Sequence, residues 1–180
     1  LKEGDWIIQN AANSNCGRYL IELAKLKGVK TINLVRREEV IPDLIRLGGD
    51  VVLVDNENIS EEMIKATNGI KPKLGIDAVN GMATARMANC LEDNSTILAY
   101  GMLTDEPCML PADVVFMRNI KLEGFYTIRQ FENRTESEIA EIYRHLSDLF
   151  ESGKLSTEIA QTYPLDMVKD AVEHAGRRGS

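Results

Sequence analysis

The sequence predicts an α/β fold: a doubly wound, six-stranded parallel sheet in the order 3-2-1-4-5-6, with helices on both faces and a helical C-terminal extension. Three observations predict it. Short apolar runs alternate with amphipathic helical stretches from Trp6 to Ile128. The runs, VVLV at Val51 to Val54 being the plainest, lack the polar alternation of a sheet with one wet face. The first run enters a turn of small and amide residues that opens a helix, within Asp5 to Gly17, DWIIQNAANSNCG.

Strand one is Trp6 to Gln9. The helix after it, Arg18 to Lys27, carries Leu20, Leu23 and Ala24 on one face and stops at Gly28, a residue suited to the left-handed position past a helix end. Thr31 to Val35 is the second strand. Arg36 and Arg37 follow, then a helical stretch with Pro42 in its first turn, Leu44, Ile45 and Leu47 as apolar positions, and Gly48 with Gly49 behind it. Val51 to Val54 is the third strand. Ser60 is placed to N-cap a helix through Met63 and Ile64 to Ala66, which Asn68, Gly69 and Pro72 end. The fourth strand, Leu74 to Val79, finishes in Asn80 and Gly81; a helix over Ala83 to Leu91 leads to the fifth, Thr96 to Tyr100, and to Gly101. Pro111 opens a short helix over Val114, Val115 and Met117, and Leu122 to Ile128 is the sixth strand. Right-handed crossovers then give the strand order. In the extension, Thr135 and Glu138 form a capping box, and Ile139, Ile142, Leu146 and Leu149 line one face up to Gly153. A last helix, Met167 to Ala175, follows Pro164 and ends at Gly176. No repeat or linker divides the chain, so residues 1–180 are expected to form one domain.

Composition narrows the function classes. A balance of 44% hydrophobic and 27% charged residues is that of an ordinary soluble globular protein. The net charge of -7 argues against a nucleic-acid partner. No apolar run approaches the ~20 residues of a membrane span, and no signal-peptide pattern is present. Cys16, Cys90 and Cys108 are odd in number and lack a C-x-x-C pair, so neither a disulfide framework nor a zinc site is implied and a reducing compartment is expected. His145 and His174 lack ligand spacing, and Met63, Met87 and Met117 read as core filler. Leu1 is not an initiator Met and GRRGS brings no closing element, so a fragment is expected.

The chemistry gathers at the carboxyl ends of the strands, where ligands of open α/β sheets lie. A strand, tight turn and helix N-terminus presents unpaired N–H groups and a positive dipole end to an anion. On the dinucleotide fingerprint G-x-G-x-x-G, the glycine positions fall on Ala12, Ser14 and Gly17, a degenerate match that simple close packing of helix on strand would also satisfy. About 20 residues further on, an Asp or Glu meets a free ribose 2′-OH and an Arg meets a 2′-phosphate. That place holds Arg36 and Arg37, which favours NADP(H) over NAD(H); the competing reading is a solvated pair with Glu38 and Glu39. Cys16 lies near a helix N-terminus, where a thiol can become reactive, and also suits a small apolar role under a cofactor.

The runs GDWIIQNAANSNCG, TINLVRR, AYGML and LEGFY together resemble the Rossmann-type cofactor domain of the medium-chain dehydrogenase/reductase superfamily. Within it they are most similar to mitochondrial-type 2-enoyl thioester reductases, with zinc-free quinone oxidoreductases close by. The closing YPL and HAGRRG pattern is shared more widely across the superfamily. The resemblance implies that Asn13, Ser14, Asn15 and Cys16 surround the pyrophosphate of NADP(H), in a cofactor-binding turn that includes Ala12 and Gly17, and that Arg36 and Arg37 hold the 2′-phosphate. It further implies that Tyr100, Gly101, Met102 and Leu103, with Phe125, Tyr126 and Thr127, border the nicotinamide. Met102 departs from the family's second glycine, and Asn15 and Cys16 from its usual Gly and Val. The family's proton-donating tyrosine belongs to a barrel-like domain formed mainly by preceding residues, so no catalytic residue is assigned here. The implied activity is NADPH-dependent reduction of the double bond of a 2-enoyl thioester. The alternatives are quinone or enone reduction, and a cofactor-binding, dimerising module without turnover. A homodimer through strand six and a bacterial cytoplasmic or mitochondrial matrix location are also expected.

Overall fold

Successive side chains of a strand point to opposite faces of a sheet. Ile7 and Ile8 of strand β1 (Trp6–Gln9) are both buried, so β1 is covered on both sides. The computed structural model describes residues 1–176. After β1 come helix α1 (Asn15–Leu26), β2 (Lys30–Val35), α2 (Ile41–Leu47), β3 (Val51–Val54), α3 (Ile59–Ala66), β4 (Leu74–Asp77), α4 (Met82–Cys90), β5 (Thr96–Ala99), α5 (Ala112–Phe116) and β6 (Lys121–Gly124). The six strands form one parallel sheet in the expected order, β3-β2-β1-β4-β5-β6. Helix α6 (Thr127–Phe131), α7 (Glu136–Glu151) and α8 (Val168–Ala175) make the extension.

The core is layered on the two faces of this sheet. Ile8, Ile32, Leu34 and Ile97 pack with Met63 of α3 and Met87 of α4, whereas Ile7 packs with Ala24 of α1. The extension is tied to α1: the Tyr19 and Phe150 rings meet edge to face at 5.6 Å, and Ser156 donates to Glu22. Leu149 is the one buried residue of α7, and Leu146 on the same stripe is exposed. The Thr135 and Glu138 capping box forms as expected, with Glu138 N donating to Thr135 Oγ1 and Thr135 N to Glu138 Oε2.

Several expected boundaries move, each for a local reason. Strand four stops at Asp77 rather than Val79, because the Asp77 carboxylate accepts from Val79 N and Asn80 N and bends the chain; strand five stops at Ala99. Strand six ends at Gly124, and Thr127 and Ile128 lie in α6. Phe125 N makes the last bond toward the sheet, to Ala99 O; β5 ends there, so the β-propensity of Tyr126 to Ile128 has no ladder to join. Asn58, not Ser60, stands at the N-cap position of α3, though its side chain makes no cap bond: Asn58 N donates to Asn56 Oδ1 and starts the turn earlier, while Ser60 Oγ donates to Asn89 O. Met63 and Met87 are buried as expected, but Met117 is exposed, since it follows a five-residue helix that buries only Val114. Arg177, Arg178 and Gly179 of the closing sequence pattern lie outside the described residues.

Candidate functional site

The turn between β1 and α1 is built by three side-chain choices. Ala11 takes the left-handed backbone region at φ 48. Ser14 is the N-cap of α1, its Oγ accepting from Gly17 N at 3.1 Å. At Gly17 a Cβ would sit 2.6 Å from Ala12 O, so helix and turn touch backbone to backbone. Beneath it, Gln9 Nε2 donates to Gly17 O at 2.9 Å and to Asn33 Oδ1 at 2.8 Å, which ties helix, first strand and second strand together. Among the described residues, the N–H groups of Asn13, Asn15 and Cys16 have no acceptor, and all three residues are exposed. They form an anion-ready rim at the start of a helix.

Beside this turn lies a cavity of about 570 Å³ lined by Asn10, Ala11, Asn13, Ser14, Leu34, Val35, Arg36, Asp55, Val79, Arg86, Leu103 and Thr104. Buried Asp77 holds one wall: it accepts from Asn10 Nδ2 at 2.6 Å and from Thr84 Oγ1 at 2.5 Å, and Asn10 Oδ1 in turn accepts from Ala78 N. Arg36 is exposed and makes no ion pair among the described residues, whereas Arg37 Nε lies 3.3 Å from Glu39. The expected solvated pairing therefore applies to Arg37 and not to Arg36. Across the cavity, Arg86 donates to both oxygens of Asp55 at 2.7 Å, and this pairing raises the arginine's pKa.

A second cavity, of about 340 Å³, is lined by Gln9, Cys16, Leu20, Ile76, Leu98, Tyr100, Phe125 and Thr127. It is mostly apolar. Burial pushes the Tyr100 phenol above its ordinary pKa, with the neighbouring Cys16 adding to the effect and a hydrogen bond with Ser14 opposing it. Gln9 Oε1 is buried and has no partner among the described residues. The cysteines differ sharply: Cys16 is exposed, and burial pushes the Cys90 thiol up to about 12. Because the thiolate is the reactive form, iodoacetamide at neutral pH is expected to modify Cys16 in the native protein and Cys90 only after unfolding. Peptide mass mapping reads this directly, and native-state labelling of Cys90 would refute it.

The structure thus brings eight of the fifteen expected residues to two cavities. Asn13, Ser14, Arg36 and Leu103 line the first, and Cys16, Tyr100, Phe125 and Thr127 the second. Ala12 and Gly17 are buried under the turn, and Asn15 stands on its exposed rim. Gly101 presses against Ala78, where a Cβ would meet Ala78 O at 2.9 Å. Arg37, Met102 and Tyr126 line neither cavity. Asp55 and Arg86 were not anticipated; the only sequence signal was an acidic residue directly after strand three, and its partner lies 31 residues away. Among the described residues no group of three or more His, Cys, Asp or Glu could hold a metal ion, and no helix is long and apolar enough to cross a membrane.

Residues 16–144 match the family model of zinc-binding dehydrogenases. The mitochondrial enoyl-acyl-carrier-protein reductase of Dictyostelium discoideum is 38% identical over 160 residues, which is 83% of this chain and 44% of that protein. A Bacillus thuringiensis protein provisionally assigned as an NADPH:quinone reductase superposes with a TM-score of 0.89 at 25% identity, over 99% of this chain and 54% of its own. The mitochondrial 2-enoyl thioester reductase heterodimer of Candida tropicalis shares the fold, with a TM-score of 0.84 at 23% identity over 97% of this chain and 52% of its own. The chain spans about half the length of the curated relatives it matches.

Proposed function

The chain belongs to the zinc-binding dehydrogenase family, within the medium-chain dehydrogenase/reductase superfamily, and on that premise we propose that it binds NADP(H) for a reductase acting on the double bond of 2-enoyl thioesters. The observation that carries the cofactor reading is the first cavity, which has the N–H of Asn13 on one rim, beside those of Asn15 and Cys16, and on another Arg36, which makes no ion pair among the described residues. A dinucleotide fits these residues. The N–H groups of Asn13, Asn15 and Cys16 would hold the pyrophosphate, over a turn that Ala12, Ser14 and Gly17 shape. Arg36 would hold the 2′-phosphate, with Arg37 joining it on leaving Glu39. The second cavity, bordered by Tyr100, Phe125 and Thr127, would take the nicotinamide side and keep water from it, with Gly101, Met102, Leu103 and Tyr126 in the flanking loops. When bound, NADPH supplies a hydride. The proton donor is proposed to lie in the part of the relatives' length that this chain does not span.

The substrate reading is supported by the relatives' names and by this chain's identity to them. Quinone or enone reduction is the second reading, favoured by the Bacillus thuringiensis structure. We also propose a homodimer. All four residues of β6, at the sheet edge, are exposed, and an open edge pairs readily with another chain. The edge is shorter than the sequence suggested. A mitochondrial matrix or bacterial cytoplasmic location is proposed from the mitochondrial names of the relatives.

Calorimetric titration of the chain with NADPH and with NADH tests the cofactor reading. The expected result is a marked preference for NADPH; equal, weak binding of both would overturn it. For the substrate, the full-length protein supplied with NADPH should reduce enoyl thioesters, and turnover of quinones or enones alone would favour the second reading. A monomer by sedimentation at micromolar concentration would remove the dimer.

A further inference from the structure

The Asp55 and Arg86 pair stands on the wall of the first cavity and has no part in the binding roles described above. Resting on the NADP(H) reading and extending it, we propose that the Asp55 carboxylate accepts a hydrogen bond from the 6-amino group of adenine and makes this cavity select adenine over a 6-oxo purine.

Both the backbone and the carboxylate of Asp55 are held in place. Asp55 directly follows β3, and its N–H donates to Val35 O at 2.8 Å, which pins it to the end of β2 beside Arg36. Arg86, projecting from α4, clamps it with two bonds of 2.7 Å. The Asp55 and Arg86 side chains are only 11% and 20% exposed, so the pair is a wall of the cavity and not a solvated surface bridge.

Charge decides what such a wall can bind. Two arms of Arg86 are committed to Asp55, and its remaining nitrogen, Nη1, lies 3.6 Å from Glu57. With two carboxylates around one guanidinium the group carries a net negative charge, so it repels phosphate and leaves Arg36 as the anion-binding end of the cavity. An ionised carboxylate only accepts hydrogen bonds and has about four lone-pair sites, of which Arg86 occupies two. The open sites call for an N–H or O–H donor. Adenine presents a 6-amino group with two N–H donors; hypoxanthine presents a carbonyl oxygen there, which a carboxylate repels. Arg86 serves as the positioning residue: it fixes the direction of the carboxylate and keeps the negative charge from standing alone in a part-buried place.

The test compares, by calorimetry, the affinity of the chain for NADPH and for its 6-oxo analogue, reduced nicotinamide hypoxanthine dinucleotide phosphate. The wild-type chain is expected to bind NADPH at least about tenfold more tightly, the size of one charge-assisted hydrogen bond replaced by repulsion. In Asp55→Asn, whose amide can donate to a 6-oxo group, the ratio is expected to fall toward one. The double variant Asp55→Asn with Arg86→Gln, which leaves no unpaired charge on the wall, is expected to do the same. A wild-type ratio near one overturns the proposal whether or not the variants fold, and so does a folded variant that keeps the wild-type ratio. Arg36→Ala, run in parallel, should weaken both dinucleotides alike and leave their ratio unchanged. If the wild-type chain binds neither dinucleotide, the NADP(H) reading falls and this proposal with it. If it binds both equally, only the role of Asp55 is lost.

Discussion

Arg36→Ala is expected to weaken NADPH binding by roughly ten- to a hundredfold while leaving NADH binding unchanged, because a hydrogen bond to a charged group contributes ~1.5–3 kcal/mol and each 1.4 kcal/mol is about tenfold. The reason for choosing this arginine is electrostatic. Arg36 is exposed on the cavity rim with no carboxylate against it among the described residues, so its full charge is available to a phosphate. Arg37 is already partly neutralised by Glu39 at 3.3 Å. Arg37→Ala should therefore cost several-fold less than Arg36→Ala, and the double variant little more than Arg36→Ala alone. Calorimetric titration of all three with both dinucleotides reads the difference. If Arg37→Ala proves the more damaging change, the 2′-phosphate site is centred one residue later than proposed.

Gly17→Ala is expected to destabilise the fold by about 3 kcal/mol, near the upper end of the range for overpacking a close contact. Two effects oppose each other here. Gly17 lies within α1, where replacing glycine by alanine should help by ~1 kcal/mol through helix propensity. Against that, the new Cβ would fall 2.6 Å from Ala12 O, 2.7 Å from Ala12 Cα and 2.8 Å from Ala12 C. All three are backbone atoms of the turn, so no side-chain end can swing aside, and the clash outweighs the propensity gain. The turn must open, and with it the N–H groups of Asn13, Asn15 and Cys16 leave their places, so NADPH affinity is expected to fall as well. Gly124→Ala is the matching control, since nothing lies within 4 Å of the place its new methyl group would take, and its effect should stay within ~0.5 kcal/mol. Urea denaturation of both variants measures the contrast; an unchanged midpoint for Gly17→Ala would mean that the turn is not tightly packed against α1.

Much of the candidate site was legible because it depends on local sequence. The turn reads from its small residues: Ser14 caps the helix and Gly17 touches Ala12, and both roles belong to residues a few positions apart. Arg36 reads from its place after the second strand. A pairing of the arginines with Glu38 and Glu39 was visible too, but which of two neighbouring arginines would be neutralised depends on side-chain directions that sequence spacing leaves open. Asp55 and Arg86 were illegible for a different reason. They meet only because β3 and α4 are brought together by the crossover between the two halves of the sheet.

By itself the amino-acid sequence determined the strand order, the turn after β1 and the Thr135 and Glu138 cap, because periodicity, capping and right-handed crossovers are properties of short stretches and of their succession; the superfamily was legible from the resemblance of its motifs. Only the tertiary structure decided where strands four and six stop: strand four ends where the Asp77 carboxylate takes the N–H groups of Val79 and Asn80, and strand six ends where its neighbour does. Tyr126 and Ile128 have the composition of a strand, yet the ladder ends where Phe125 N reaches Ala99 O, because a strand lasts only as long as its neighbour offers carbonyl partners. The tertiary structure alone also left Arg36 without an ion pair among the described residues and locked Asp55 to Arg86, since charge pairing is settled by distances across the fold and not along the chain.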